Sequence, residues 1–416
     1  MFRFRSHRTF FLLASSVAFG AMVAFVPSVA PQVQSTSTVT SRVLTGIDLY
    51  ESMNSEPLSG KRIGLITNQT GVDSRGLRTS ALFSHMRDVK LIALFSPEHG
   101  IEGKAEGAVA SATDAANGVP VYSLYGETRR PTDAMLKGID VLIFDVQDAG
   151  VRFYTYVTTM AYCMEEAAKH HITFIVFDRP DPLGGNVIEG PMLDAGRLSF
   201  TGYFPMPVRY GMTMGELARM FNAENKIGAD LEVMSMRGWK RSMAYDETGL
   251  RWIPPSPNLR TINAAFLYPG IEILQAGGVS VGRGTEAPFE MIGAPWIRAD
   301  EFATVLNGRK IPGVSFAPGQ FTPSADPYGG QVCQGVTISI TDRGSLRAMR
   351  VGLEVADALH KMYPERFHLE KMIELLGSQA TIERLGRGDG PADIVEGWST
   401  DLDRFRRMRE KYLLYE

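Results

Sequence analysis

The sequence predicts an α/β protein whose first part is a doubly wound parallel sheet, and three observations carry the prediction. Short apolar runs alternate with stretches of helical spacing from Arg62 to Phe177, the order expected of strands joined by crossover helices. The runs at residues 62–67 (RIGLIT), 91–95 (LIALF), 141–144 (VLIF) and 173–177 (TFIVF) are almost wholly apolar, as strands covered on both faces must be. Each run then stops at polar residues: Asn68 and Gln69, then Ser96, Pro97, Glu98 and His99, then Asp145, Gln147 and Asp148, then Asp178, Arg179 and Asp181. Ligands of open α/β sheets bind in the crevice beyond the carboxyl ends of the strands, so four strand ends supply one polar rim.

The chain opens with Arg3, Arg5 and Arg8 ahead of an apolar run at 10–26 and the sequence Pro27, Ser28, Val29, Ala30. Residues 1–31 therefore read as an export signal or, uncut, an N-terminal anchor. No cysteine lies near this segment, against a lipoprotein signal. The expected address is periplasmic or extracellular, with membrane contact only if the segment is retained. Residues 32–44, rich in Ser, Thr and Val without periodicity, are expected to be a flexible spacer, and folding is expected to begin near Gly46. The 416 residues, 44% hydrophobic and 21% charged, are globular in composition and long enough for two or three domains. Removing residues 1–30, with three arginines and no acid, takes the formal charge from −3 to −6; nucleic acid is not an expected partner of so acidic a surface. Cys163 and Cys333, far apart in sequence, read as separate buried thiols.

After the first strand, Asn68-Gln69-Thr70-Gly71 is turn chemistry and residues 79–86 (TSALFSHM) have helical spacing. Residues 101–120, rich in Gly and Ala, suggest a loop over the site. Helices are expected near 133–137 and over 155–170. Residues 179–211 are too rich in Pro and Gly for regular structure and too long for a bare connector. A helix over 213–222, with Thr213 as N-cap and Glu216 closing a capping box, precedes a strand at 231–236. The prolines of 252–260 (WIPPSPNLR) end the sheet domain, giving boundaries of 45–262 and 263–416. In the second region helices are expected at 268–275 and 346–362 and a strand at 336–340. The tail, 402–414, reads as a charged helix with Arg404, Arg406, Arg407 and Arg409 in solvent.

The rim combines the carboxylates Glu98, Asp145, Asp148, Asp178 and Asp181 with Arg152, Arg179, Tyr154 and Tyr156, and Arg283 and Glu286 are available from the second region. This set suits a polyol carrying a negative group: carboxylates and amides bind hydroxyls, arginine pairs bidentately with a carboxylate, and a carboxylic acid protonates a leaving oxygen. The bland alternative is that Asp145 and Asp178 cap helices while Arg152 and Arg179 neutralise them. No strand is followed by G-x-G-x-x-G and no G-x-x-x-x-G-K-[ST] occurs, so no nucleotide cofactor is expected. Ser96 lacks a nucleophile elbow and precedes Pro97, which has no N–H for an oxyanion hole. His85, His99, His170 and His171 lack ligand-like spacing, so no metal is expected.

SPEHG at 96–100, FDVQDAGVRFYTY at 144–156, DRPDPLGG from Asp178, EGP at Glu189, SPNL at Ser256 and GRGTEAPFEMIGAPW from Gly282 together resemble the bacterial exo-β-N-acetylmuramidases. That family was first catalogued as a conserved domain of unknown function, and the likeness runs from about Gly46 to the C terminus. It implies a Rossmann-like catalytic domain, a smaller C-terminal α/β domain closing the cleft, and release of N-acetylmuramic acid from the non-reducing end of peptidoglycan-derived disaccharides and muropeptides. It also implies Glu98 as the catalytic glutamate, with His99 beside it. Asp148 and Glu286 are the candidates for a second carboxylate. Asn68, Asp145, Gln147, Arg152, Tyr154, Tyr156, Arg179 and Arg283 are the candidate substrate-binding residues. Two other readings use the same pocket: a non-catalytic muropeptide-binding protein, and an amidase or esterase acting on the same fragments.

Overall fold

The computed structural model describes residues 42–53 and 56–416; the expected export segment and residues 32–41 of the expected spacer lie outside them. Folded structure begins earlier than Gly46. Val43 is fully buried against Met236 and Trp239, its N–H donates to the Thr248 carbonyl, and Leu44 pairs with Arg237. The end of the spacer is thus part of the fold, because Val43 has an apolar niche to fill.

The main sheet is built from β1 (Arg62–Thr67), β2 (Lys90–Ser96), β3 (Ala112–Thr113), β4 (Pro120–Ser123), β5 (Val141–Asp145) and β6 (Thr173–Phe177). A ribbon of β7 (Glu189–Met192) and β8 (Pro207–Arg209) intervenes, and β9 (Leu231–Met234) completes the sheet. The order is β3-β4-β2-β1-β5-β6-β9, parallel throughout except for the β3–β4 edge. From central β1 the chain moves outward through β2 and β4, then returns to β5 and moves the other way through β6 and β9. The topological switch point, where ligands bind in such sheets, therefore lies between β1 and β5.

The apolar runs are buried as their composition requires, and alternate residues feed two separate cores. Ile63, Leu65, Ile143 and Ile175 join Ile47, Tyr50 and Phe83 of helices α1 (Gly46–Ser52) and α2 (Thr79–His85). Ile66, Leu142, Phe144, Phe174 and Val176 face the opposite side, where, after the short α3 (Asp133–Leu136), helices α4 (Tyr156–Lys169) and α5 (Met214–Glu224) pack. The capping box opens α5: the Glu216 N–H donates to Thr213 Oγ1 at 3.3 Å, and the Thr213 N–H donates to Glu216 Oε2 at 3.0 Å. Within 179–211, read as irregular, β7 and β8 pair antiparallel around a register shift.

In the C-terminal part, α6 (Ile262–Ile271) starts well before Tyr268, runs through Pro269 and tightens into a 3-10 turn at Glu272–Gly277, a change favoured by the missing proline N–H. A three-stranded antiparallel sheet of β10 (Met291–Ala294), β11 (Val314–Phe321) and β12 (Cys333–Ile340), ordered β10-β12-β11, is packed by α7 (Ala299–Gly308). Helix α8 (Ala348–Met362) crosses α6 with the backbones touching: a Cβ on Gly270 would stand 1.8 Å from the Ala348 carbonyl oxygen, and one on Gly352 2.2 Å from that of Gly270. The chain ends in α9 (Ile373–Leu376), α10 (Gln379–Gly386), α11 (Pro391–Glu396) and α12 (Ser399–Arg409). Arg404, Arg406 and Arg407 are exposed, but Arg409 is buried and donates to the carbonyls of Gly185, Tyr210 and Gly211. The solvated-face reading fails there because that side of α12 meets a loop with carbonyls to satisfy. Cys163 and Cys333 are both buried and free.

Candidate active site

A cleft of about 170 Å³ opens beyond the carboxyl end of β2, at the seam between the sheet domain and the C-terminal part. Glu98 and His99 reach it from the end of β2, and Tyr125 from beyond β4. Phe153, Tyr154 and Thr155 line it from the start of α4, Ser256 from the proline-rich segment, Tyr268 and Glu272 from α6 and its 3-10 extension, and Arg283 and Phe289 from the glycine-rich stretch. Aromatic walls, two carboxylates and one guanidinium make a pocket for a sugar ring with an anionic substituent.

Glu98 is half-buried, and its Oε2 accepts the Thr155 hydroxyl at 2.6 Å. Its backbone is braced from behind: Tyr156 donates to the carbonyls of Glu98 (3.3 Å) and Pro255 (2.7 Å), and Asn68 Nδ2 donates to the Tyr156 oxygen at 3.1 Å. His99 sits at φ 71°, uncommon for a residue with a side chain, and its Nδ1 lies 2.7 Å from the Ala105 carbonyl. A carbonyl oxygen only accepts, so Nδ1 is the donor in this contact. The ring is thus oriented by the covering loop rather than by Glu98.

Glu272 is the second carboxylate of the cleft, and the sequence did not single it out. Its Oε1 is 2.5 Å from Arg283 Nη2, while Oε2 is buried with no partner among the described residues. Burial raises the Glu272 carboxyl, with Arg283 opposing. Burial disfavours the charge of Arg283, but Glu272 overrides it and holds the guanidinium above its ordinary value. Arg283 also lies 5.3 Å from the Phe289 ring centre, and its Nε has no partner among the described residues, so donors remain for a ligand.

The other expected site residues stand elsewhere. Glu286 is outside the cleft: its side chain is 98% exposed and pairs with Arg260 at 2.8 Å. It stands three residues after Arg283, beyond the turn that the Thr285 N–H closes on the Gly282 carbonyl. Asp148 is buried behind the wall, bonded to the Tyr210 hydroxyl and the Gly150 N–H; burial pushes its carboxyl up to about 6 against those bonds. Gln147 is buried beside it and donates to the carbonyls of Asp148 and Pro180. Asp145 and Arg179 form a buried pair at 2.6 Å, with Thr79 also on Asp145 and Val72 accepting from Arg179. Arg152 is buried and donates to the carbonyls of Pro191, Met206, Leu375 and Leu376. It clasps the sheet domain to the segment that presents Leu375 to the cleft. For Asp145 and Arg179 the neutralising reading describes the pair, whereas Arg152 forms an ion pair with no carboxylate among the described residues and is held by backbone carbonyls instead. Tyr154 and Arg283 line it; Asn68 and Tyr156 act one layer behind. Ser96 is buried and is not among the lining residues.

The sequence profile of the N-terminal domain of the exo-β-N-acetylmuramidase NamZ matches residues 63–263, and that of its C-terminal domain matches residues 266–415. The chain is 42% identical over 411 residues to the peptidoglycan β-N-acetylmuramidase NamZ of Bacillus subtilis (strain 168), covering 98% of this chain and 99% of that protein. Two crystal structures of DUF1343 family proteins from Bacteroides fragilis share the architecture. One has a TM-score of 0.84 at 40% identity, the other 0.75 at 30%, each covering 90% of this chain and 99% of its own. Matched in both halves and along nearly its whole length, the chain belongs to the exo-β-N-acetylmuramidase NamZ family.

Proposed function

We propose that the cleft hydrolyses the β-glycosidic bond of a terminal N-acetylmuramic acid residue in peptidoglycan-derived disaccharides and muropeptides, with Glu98 as proton donor to the leaving oxygen. The chain is an exo-acting muramidase, a glycoside hydrolase. Its finer substrate and the roles of its residues rest on one observation: two carboxylates with unlike partners share a sugar-sized aromatic pocket. Glu98 meets a neutral hydroxyl, and Glu272 meets a guanidinium. Glycoside hydrolysis needs this inequality, a proton for the leaving oxygen and negative charge for the oxocarbenium-like centre. Glu272 takes the second role here in place of Asp148 and Glu286. Arg283, held by Glu272 and with donors to spare, binds the lactyl carboxylate that distinguishes muramic acid from glucosamine. The Arg-flanked apolar segment at residues 1–31 supports export, which brings the enzyme to peptidoglycan.

The test is hydrolysis of a chromogenic β-N-acetylmuramide beside the matching β-N-acetylglucosaminide. Arg283 keeps Glu272 when the lactyl carboxylate is missing, so what is lost is the charge-assisted hydrogen bonding to that carboxylate, about 1.5 to 3 kcal/mol, roughly tenfold or more in kcat/KM. The muramide is expected to be cleaved at least that much faster. Comparable rates on both sugars would remove Arg283 from recognition.

A further inference from the structure

A second cavity, of about 400 Å³, lies on the other flank of α6: Phe266 lines it, whereas Tyr268 lines the catalytic cleft. Residues two apart on a helix point nearly oppositely, so the helix is a shared wall between the two spaces. Four guanidiniums line this cavity, Arg209, Arg241, Arg343 and Arg347, against one carboxylate, Glu247. Arg209 and Arg241 are buried and committed to Glu189 (3.0 Å) and Glu216 (2.7 Å).

The other two are not so committed. Arg347 is exposed and gives Nη1 to the carbonyls of Gly344 and Leu346; among the described residues no carboxylate forms an ion pair with it. Arg343 lies 4.9 Å from the Phe266 ring centre and pairs with Asp246 at 2.5 Å, both partners being well exposed. Its Nη2 also donates to Asn263 Oδ1 at 3.1 Å; both contacts are exposed and contribute little, so Arg343 can change partner at small cost. Arg347 is also the N-cap of α8, whose first turn contains no acid. Glu189 accepts the Met349 N–H of that first turn at 3.2 Å, while the Arg347 guanidinium itself is without a carboxylate partner among the described residues.

We propose that this seam cavity is a second ligand site, for a small polyanion carrying phosphate or carboxylate groups, held between Arg343 and Arg347. Either group suits the planar fork of arginine. The site is separate from glycoside hydrolysis and does not depend on the roles given to Glu98 or Glu272.

The test is calorimetric titration of the full-length chain with sodium pyrophosphate and, separately, with citrate, at ionic strength fixed with sodium chloride. An Arg343→Gln/Arg347→Gln double variant is titrated in parallel. Both residues are exposed, so the variant is expected to melt like the parent and to hydrolyse the muramide like the parent in anion-free buffer. The expected result is saturable binding of at least one of the anions to the parent, weakened about tenfold or more in the double variant by the loss of charge-assisted hydrogen bonds. Which anion binds identifies the chemical class. No saturable heat with either anion, or parental affinity in the double variant, would overturn the site. If the double variant fails to fold, Arg347→Gln alone supports the same comparison.

Discussion

Glu272 and Glu286 show what a sequence holds back at the scale of single residues. Both flank Arg283 in the chain, and the nearer one, Glu286, points into solvent, while Glu272 arrives from the end of α6 to grip the guanidinium. The spacing of motifs could place Glu98 and His99 at a strand end, because a strand terminus needs only local pattern. It could not decide which carboxylate a separate helix delivers to the same point. The rim acids were legible as a group, yet desolvation separates them. Burial pushes Asp148 up to about 6 and Asp181 up to about 7, the latter against Arg209 and the Leu183 N–H. Each then holds its proton more tightly folded than unfolded. The stabilisation from that bound proton is complete below the unfolded value near 4 and is lost as pH rises through 6 and 7. The melting temperature should therefore fall between pH 5 and pH 7.5, and Asp181→Asn should flatten part of the fall. A melting temperature that rises over this interval would contradict the burial of these acids in protonated form.

Elements were legible where one period dominated. The four apolar runs became β1, β2, β5 and β6, and the capping box at Thr213 and Glu216 opened α5. Antiparallel β11 was not legible, since most of its residues are exposed or half-buried and its one buried side chain, Phe316, gives no alternation to read. The crossing of α6 and α8 was also invisible, because a glycine in a helix looks locally like a weakness. Its reason lies in the partner backbone. Gly270→Ala should cost about 2 kcal/mol or more, since the added Cβ meets a carbonyl oxygen that cannot move freely. Gly308→Ala, where a Cβ meets nothing within 4 Å, should leave stability unchanged or slightly raised. Urea denaturation of both variants checks the pair; equal midpoints would mean that the helices do not cross in contact.

At the scale of the whole molecule, the cleft exists because two parts meet: Glu98 belongs to the sheet domain, Glu272 and Arg283 to the C-terminal part. The buried clasp of Arg152 on Leu375 and Leu376 holds that meeting in place. Fold class and the address of the site could be read from the strand ends, but the cleft's composition depended on a long-range seam that periodicity does not encode. The proposed export also acts at this scale. Cells making the full-length chain should yield the protein outside the cytoplasmic membrane, and a soluble cytoplasmic fraction would contradict the signal at residues 1–31.

The central claim, that Glu98 protonates the leaving oxygen, is tested most directly by Glu98→Gln assayed on two substrates. The account predicts a loss of about a hundredfold or more on the natural disaccharide and a smaller loss on an aryl muramide whose phenol departs without a proton, at a parental melting temperature. A variant that melts like the parent and keeps near-parental turnover of the disaccharide would contradict it.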